Sequence, residues 1–168
     1  ITLKGRVLHD SGGYGMLGFG HTPAAVIEAM SKPQVMANIM SPSLSHLRVI
    51  NALRKEIGHT RGACPYAKFL TLNSGSESVS LAGRIADTHS KTQTQVGGPH
   101  AGKTIKRIAM KGAFHGRTEL PSWYSDSSRA NYLKALASYP QFSEQLITIV
   151  PYSIEALKQA FVDADTNG

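Results

Sequence analysis

The chain has 168 residues, of which 41% are hydrophobic, and its 18 Lys+Arg and 11 Asp+Glu give a net charge of +7. This length is typical of one domain with a sizeable core, and the apolar content is too high for a disordered tail. No stretch approaches the roughly 20 apolar residues of a membrane helix, and the basic residues are spread singly, so we expect neither a membrane nor a nucleic-acid partner.

The numbers and spacing of cysteine and histidine residues bear on disulfides, metal sites and the cellular compartment. The single Cys64 excludes an internal disulfide framework and a thiolate-rich metal site, and it is typical of a reducing compartment. The seven His are scattered without ligand spacing on a predicted helix, so we expect no metal site. We expect a cytoplasmic protein, and an organellar location stays open because the chain starts at Ile1 rather than at Met.

The N-terminal part of the chain is rich in glycine and turn residues. Residues 3–9 predict a short strand or hairpin arm, and residues 12–20 predict a glycine-rich loop. Thr22 is expected to cap a first helix, in which Pro23 holds the first position and residues 24–30 follow.

A second helix is predicted after an irregular stretch between Pro33 and Pro42. Ser43 is expected to cap this helix, and Gly58 is expected to end it. Its apolar residues recur at helical spacing and define one face: Leu44, Leu47, Ile50, Leu53 and Ile57.

Strands and helices alternate in the rest of the chain. The predicted strands are 68–72, 105–110 and 146–150. The predicted helices are 77–89, 130–139 and a last helix that Ser153 caps and that buries Ile154, Leu157 and Phe161. Residues 90–104 and 111–128 are expected to be irregular.

This alternation predicts an α/β fold with a partial, mostly parallel sheet and flanking helices. We expect an N-terminal segment, 1–58, with a glycine-rich loop and two helices, followed by an incomplete α/β domain, 59–168. Because three strands make a thin sheet whose two faces both need cover, we expect the chain to be part of a larger protein.

Three segments are candidates for binding phosphate. Residues 13–18 have the G-x-G-x-x-G pattern, but no acidic residue follows about 20 residues later, so we favour a flexible turn. Residues 97–104 have the Walker A pattern G-x-x-x-x-G-K-[ST]. A polar segment precedes them and a predicted strand follows, so we favour a surface loop and keep P-loop nucleotide binding as an alternative function.

The third candidate has the expected structural context. The predicted strand 68–72 leads into residues 73–78, which open a helix. Small residues at 74–76 allow an anion to approach the backbone, and the free N–H groups and the dipole at a helix start favour negative charge. The hydroxyls of Ser74 and Ser76 add donors, although an ordinary serine-rich helix cap explains the same residues equally well.

The third candidate and four other segments of the chain resemble a known family. Asn73-Ser74-Gly75-Ser76-Glu77 before a helix, and Lys111-Gly112-Ala113-Phe114-His115-Gly116-Arg117-Thr118 after a strand, resemble the class III pyridoxal-phosphate-dependent aminotransferases of fold type I. The runs Gly5-Arg6-Val7-Leu8-His9-Asp10, Gly12-Gly13-Tyr14-Gly15 and Gly18-Phe19-Gly20-His21-Thr22-Pro23 resemble that family's N-terminal segment in the same order. The resemblance covers nearly the whole chain and implies part of the large domain.

The resemblance implies a set of roles. The cofactor would be pyridoxal 5'-phosphate, with Ser74, Gly75 and Ser76 at its phosphate and Phe114 and His115 at its ring. The substrates would be an amino donor and a keto acid, and the protein would be a homodimer. The lysine that carries the cofactor and the acidic partner of its ring nitrogen are expected downstream, so we expect no catalytic residue in this chain and no activity from it alone.

The chain departs from the family pattern after Glu77, where Ser78-Val79-Ser80 replaces the usual Ala-Asn-Glu. Gly83 within the same predicted helix costs about 1 kcal/mol relative to Ala. These changes leave the phosphate-binding segment intact. A non-catalytic homologue of the fold stays a second alternative, and the sequence leaves open the substrates and the choice between transaminase, mutase and decarboxylase.

Overall fold

The computed structural model describes residues 1–9, 18–33, 41–139 and 145–167. The chain divides into two compact units, Ile1–Phe69 and Leu70–Gly168. The domain boundary after residue 58 stays a prediction. The glycine-rich loop predicted at 12–20 and the irregular stretch between Pro33 and Pro42 lie largely outside the described residues.

Within residues 1–9, 18–33 and 41–69, the first unit contains two helices, α1 (Ala24–Ser31) and α2 (Leu44–Gly58). The predicted start and end of α2 are confirmed, because the helix begins directly after Ser43 and ends at Gly58. The Ser43 hydroxyl caps the helix by accepting the His46 N–H at 3.1 Å. The prediction that Thr22 caps α1 is wrong. Pro23 holds the cap position with an extended ψ of 113°, so Thr22 lies one residue too early to reach the first free N–H groups.

Neither predicted strand in residues 1–72 forms. Within 3–9 the chain turns at Gly5, whose φ is 74° and whose N–H donates to the Thr2 carbonyl at 2.9 Å. Residues 68–72 pair with no strand in the described part of the chain. A strand needs a neighbouring strand for its backbone hydrogen bonds, and apolar composition alone does not supply one.

In the described part of the second unit there are a parallel sheet of two strands and four helices. Its helices are α3 (Gly75–Thr94), α4 (Glu119–Ser122), α5 (Asp126–Ala135) and α6 (Ile154–Asn167). Its strands β1 (Arg107–Met110) and β2 (Leu146–Ile149) pair in parallel, with Arg107 opposite Leu146 and Met110 opposite Ile149. Because α4 and α5 lie between the two strands in the chain, the predicted α/β class with a βαβ unit is confirmed.

Helix α3 extends five residues beyond the predicted end at His89. The hydroxyls of Thr88, Thr92 and Thr94 donate to carbonyl oxygens three or four residues earlier, so these polar side chains are satisfied within the helix, which ends before the Gly97 turn. In the middle of α3, Gly83 allows a close crossing with α4. A Cβ at Gly83 would lie 2.7 Å from Leu120 Cδ2.

The segment predicted to be irregular, 111–128, contains α4 and the first residues of α5. Helix α5 starts four residues earlier than predicted, at Asp126, where an acidic side chain suits the positive end of the helix dipole. It also ends four residues earlier, at Ala135.

The predicted cap of the last helix is confirmed, but its predicted buried face is wrong. The Ser153 hydroxyl accepts the Ala156 N–H at 3.1 Å. Ile154, Leu157 and Phe161 are exposed, whereas Ala160 is only 3% exposed. Helix α6 contacts β2, and the small alanine allows the close approach that larger residues would prevent.

Tyr139 is a buried residue whose ionisation is coupled to folding. Its hydroxyl donates to the Ser122 carbonyl at 3.1 Å, and its ring lies 5.3 Å from that of Tyr132, centroid to centroid. Burial raises the pKa of the Tyr139 phenol above its ordinary value of 10.0. The folded state therefore holds the phenolic proton more tightly than the unfolded state.

We expect this linkage to produce an alkaline loss of stability. The contribution of Tyr139 is fully present below pH 10.0 and is lost as the pH rises through the higher pKa of the folded state. Denaturant unfolding of the wild type and of Tyr139→Phe, at about pH 7 and about pH 11, measures it. The variant should lose about 1 kcal/mol at neutral pH from the missing hydrogen bond, and this difference should shrink at high pH. The exposed Tyr152→Phe is the control, and an unchanged difference would contradict the linkage.

Candidate functional site

The start of α3 presents free backbone donors. Ser74 holds the cap position, and its hydroxyl accepts the Glu77 N–H and donates to Glu77 Oε2, both at 3.2 Å. This pairing fixes the first turn of the helix. The N–H groups of Gly75 and Ser76 have no acceptor among the residues that the structure describes, and they lie at the positive end of the helix dipole.

Ser74 and Ser76 therefore differ in what they offer a ligand. The Ser74 hydroxyl is occupied by the helix cap, so Ser74 contributes mainly by setting the helix start. The Ser76 hydroxyl has no hydrogen-bond partner within the described ranges and is the free side-chain donor of this turn.

The loop after β1 carries an aromatic side chain and a histidine in exposed positions. Phe114 and His115 follow the carboxyl end of β1, and both are largely exposed. Their backbone is nevertheless fixed, because the His115 N–H donates to the buried Ser125 hydroxyl at 2.9 Å. The Gly112 N–H also donates to Asp126 Oδ2 at 2.7 Å.

Gly116 brings this loop into contact with the start of α3. Its φ of 117° is one that residues with a Cβ rarely adopt. A Cβ at this position would lie 2.9 Å from Ser76 Cβ and 3.0 Å from Ser76 Cα, and it would also meet the Ser76 hydroxyl. Only glycine allows this packing, which places the loop and the helix start side by side.

Between these two segments lies an open cavity of about 380 Å³. It is lined by Ser74, Gly75, Ser76, Val79, Phe114, His115 and Gly116. The five residues predicted as site residues from the sequence thus meet in one place. The turn at residues 74–76, which was predicted to bind an anion, lies against the loop at residues 112–116, which we call the aromatic loop.

Two lining residues and two supporting residues were not predicted from the sequence. Val79 lies one helical turn after Ser76 on the same face of α3, and this spacing could have been used to predict it as a lining residue. Gly116 stands inside the quoted family motif. Ser125 and Asp126 hold the loop from a segment predicted to be irregular, and no sequence pattern pointed to them.

The serines at the departure from the family pattern serve the helix itself. The Ser78 hydroxyl donates to the Ser74 carbonyl at 3.1 Å, and the Ser80 hydroxyl donates to the Ser76 carbonyl at 2.9 Å. Ser80 also lies 3.3 Å from the Thr118 hydroxyl, which follows the aromatic loop. The altered residues therefore support the same helix start and leave its free amides and the Ser76 hydroxyl available.

The Walker A pattern at 97–104 does not have P-loop geometry. It follows a helix and precedes a strand, whereas a P-loop follows a strand and precedes a helix. Three of its N–H groups, from Gly98, His100 and Gly102, donate to carbonyl oxygens at the end of α3 at 2.8–3.0 Å. These amides satisfy the end of the helix and cannot surround a phosphate.

Metal-binding and membrane-spanning features are both absent from the described residues. No group of three or more His, Cys, Asp and Glu is arranged there to hold a metal ion. Among the described helices, none combines the length and the apolar character that crossing a membrane requires.

The fold and the cavity define an α/β protein with an open cavity outside the carboxyl end of a parallel strand. The model of the family "Aminotransferase class-III" matches residues 3–160, which is nearly the whole chain. The chain belongs to this family, and its function is of the aminotransferase type. No curated protein and no solved structure matches it.

Proposed function

We propose that the cavity binds pyridoxal 5'-phosphate and that this chain supplies the cofactor contacts of an enzyme that transfers an amino group between an amino donor and a keto acid. The observation that carries this proposal is the lining of one cavity by free helix-start amides on one side and an exposed aromatic ring on the other. The cavity volume of about 380 Å³ is in the usual range for small-ligand pockets.

The phosphate end of the cofactor would lie at Gly75 and Ser76. Two backbone N–H groups and the Ser76 hydroxyl are available there, and the helix dipole favours a dianion. Among the described residues, no acidic side chain lines the cavity, so none of the lining groups repels a phosphate. The residues present therefore fit the anionic part of the cofactor.

The ring would lie against Phe114. This side chain is 58% exposed on a loop whose backbone is hydrogen-bonded in place, and it offers a flat face to a flat heterocycle. Val79 adds apolar surface from the facing helix, and His115 lies next to Phe114 as a hydrogen-bonding neighbour.

The cofactor, when bound, supplies an electron sink that lets an amino group leave one substrate and enter another. This chemistry also needs a lysine that carries the cofactor and an acid that faces its ring nitrogen. Neither residue type lines the cavity within the described part of the chain. We therefore propose that this chain docks the cofactor, that both groups come from outside the described residues, and that the chain alone transfers no amino group.

The proposal also includes a homodimer and a cytoplasmic location, which rest on the family and on cysteine usage. A non-catalytic homologue is the second alternative. It would replace the aminotransferase if the protein bound the cofactor but transferred no amino group from any donor, even with the cofactor-carrying lysine present.

Cofactor titration tests the ring contact directly. We expect Phe114→Ala to weaken binding of pyridoxal 5'-phosphate about 3- to 10-fold, because an aromatic contact contributes roughly 0.5–1.5 kcal/mol. Calorimetry or quenching of protein fluorescence gives the dissociation constants.

Phe161→Ala is the matched control for this experiment. Phe161 is 59% exposed, as Phe114 is, but it lies on α6 and does not line the cavity. The control variant should bind as tightly as wild type. Equal affinities for all three proteins would refute the ring contact, and no binding by the wild type would refute the proposed function.

A further inference from the structure

The serine at the start of α5 does not cap its own helix. A serine at this position usually accepts an N–H from the second or third helical residue. The Ser125 hydroxyl makes no such bond. It accepts the His115 N–H at 2.9 Å and lies 3.0 Å from two carbonyl acceptors, those of Gly116 and Pro121, which share its single proton.

The aromatic loop supplies the missing cap in return. The Ser127 N–H, one of the free donors at the start of α5, donates to the Ala113 carbonyl at 3.1 Å. Asp126 accepts the Gly112 N–H at 2.7 Å. The helix start and the loop thus exchange hydrogen bonds on both sides of Phe114, and neither can shift without breaking bonds of the other.

Burial makes this exchange costly to break. Ser125 is fully buried, with 0% exposure. If its hydroxyl were removed, the His115 N–H would lose its acceptor in this partly buried contact. By contrast, the Phe114 and His115 side chains are largely exposed at the cavity, so their position depends on their backbone.

We propose that Ser125 is a positioning residue for the cofactor ring. It touches no ligand, and it acts by holding the His115 backbone so that Phe114 keeps its place at the cavity. This inference rests on the proposed function, because it assigns the loop to the ring of pyridoxal 5'-phosphate.

Ser125→Ala and the control Ser122→Ala test this role. Ser122 is also buried, but its hydroxyl bonds within α4 to the Glu119 carbonyl and not to the loop. We expect Ser125→Ala to weaken binding of pyridoxal 5'-phosphate about tenfold, as expected for loss of the ring contact. Binding of inorganic phosphate, which needs only the start of α3, should be unchanged. Ser122→Ala should alter neither affinity.

Hydrogen exchange separates this inference from the proposed function. The His115 amide should lose protection in Ser125→Ala and keep it in Ser122→Ala, whether or not the cofactor binds. Equal loss of phosphate and cofactor binding would indicate a general structural role and overturn the proposal. So would an unchanged His115 exchange rate. If the His115 exchange rates changed as expected in the variants but the wild type bound no cofactor, the result would instead overturn the proposed function. The role of Ser125 in positioning the ring would then fall with it.

Discussion

Replacing Gly75 by aspartate should abolish cofactor binding without weakening the fold. A Cβ at Gly75 meets nothing within 4 Å, so the aspartate side chain has open space at the cavity. Its carboxylate would stand where the phosphate is expected, and the repulsion should lower affinity for pyridoxal 5'-phosphate at least about 100-fold. An acidic residue in the first turn also favours the helix, so stability should stay equal or rise by about 0.3–1 kcal/mol.

This test is specific because the aspartate should lower cofactor affinity while stability stays equal or rises. Gly75→Ala is the control, because it adds the Cβ without a charge and should bind nearly as tightly as wild type. Calorimetric titration gives the affinity, and thermal unfolding gives the stability of each variant. An aspartate variant that still bound the cofactor tightly would show that the phosphate lies elsewhere. A variant that lost both binding and stability would indicate simple misfolding and would count against the open space inferred at Gly75.

The caps of α2, α3 and α6 could be predicted from the sequence because their cause is local. Ser43 and Ser153 each cap a helix by accepting an N–H three residues later, and Ser74 does the same at the cavity. Such a bond depends on a few neighbouring residues and on no distant partner. The same local chemistry predicted the free amides of Gly75 and Ser76.

Strands and buried faces were less predictable because their causes are distant. Residues 68–72 have the composition of a strand, but a strand exists only where a second one pairs with it. On α6 the apolar spacing selected Ile154 and Phe161, whereas the approach of β2 selected the smaller Ala160. Periodicity gives the side of a helix that is apolar and does not give the partner that covers it.

The residues of the candidate site differ in the same way, because some stand in a contiguous motif and others are defined by distant contacts. Phe114 and His115 were found because they stand in a contiguous motif. Ser125 was not found, because it lies in a segment predicted to be irregular and its hydroxyl bonds the loop ten residues earlier. The contact between Gly116 and Ser76 joins residues 40 positions apart, and only the folded chain displays it.

That contact predicts a large loss of stability from a single added methyl group at Gly116. Gly116→Ala would force a residue with a Cβ to a φ of 117° and press the new carbon against Ser76 Cβ and Cα, at 2.9 and 3.0 Å. The Ser76 Cα belongs to the backbone of α3 and cannot rotate away. Strain and overpacking together should cost about 2–5 kcal/mol, and the displaced loop should lower cofactor affinity by more than about tenfold.

Two further variants separate the strain from the clash. Gly97→Ala also has a positive φ, of 84°, but its Cβ meets nothing within 4 Å, so it should cost only about 1 kcal/mol and leave binding unchanged. Adding Ser76→Gly to Gly116→Ala removes the clash with the Ser76 side chain and leaves the clash with the α3 backbone. Denaturant unfolding of the single and double variants should therefore show a destabilisation smaller than the sum of the two single changes, because the residues touch. Strict additivity would mean that the loop and the helix start do not meet, and the cavity between them would then lose its physical basis.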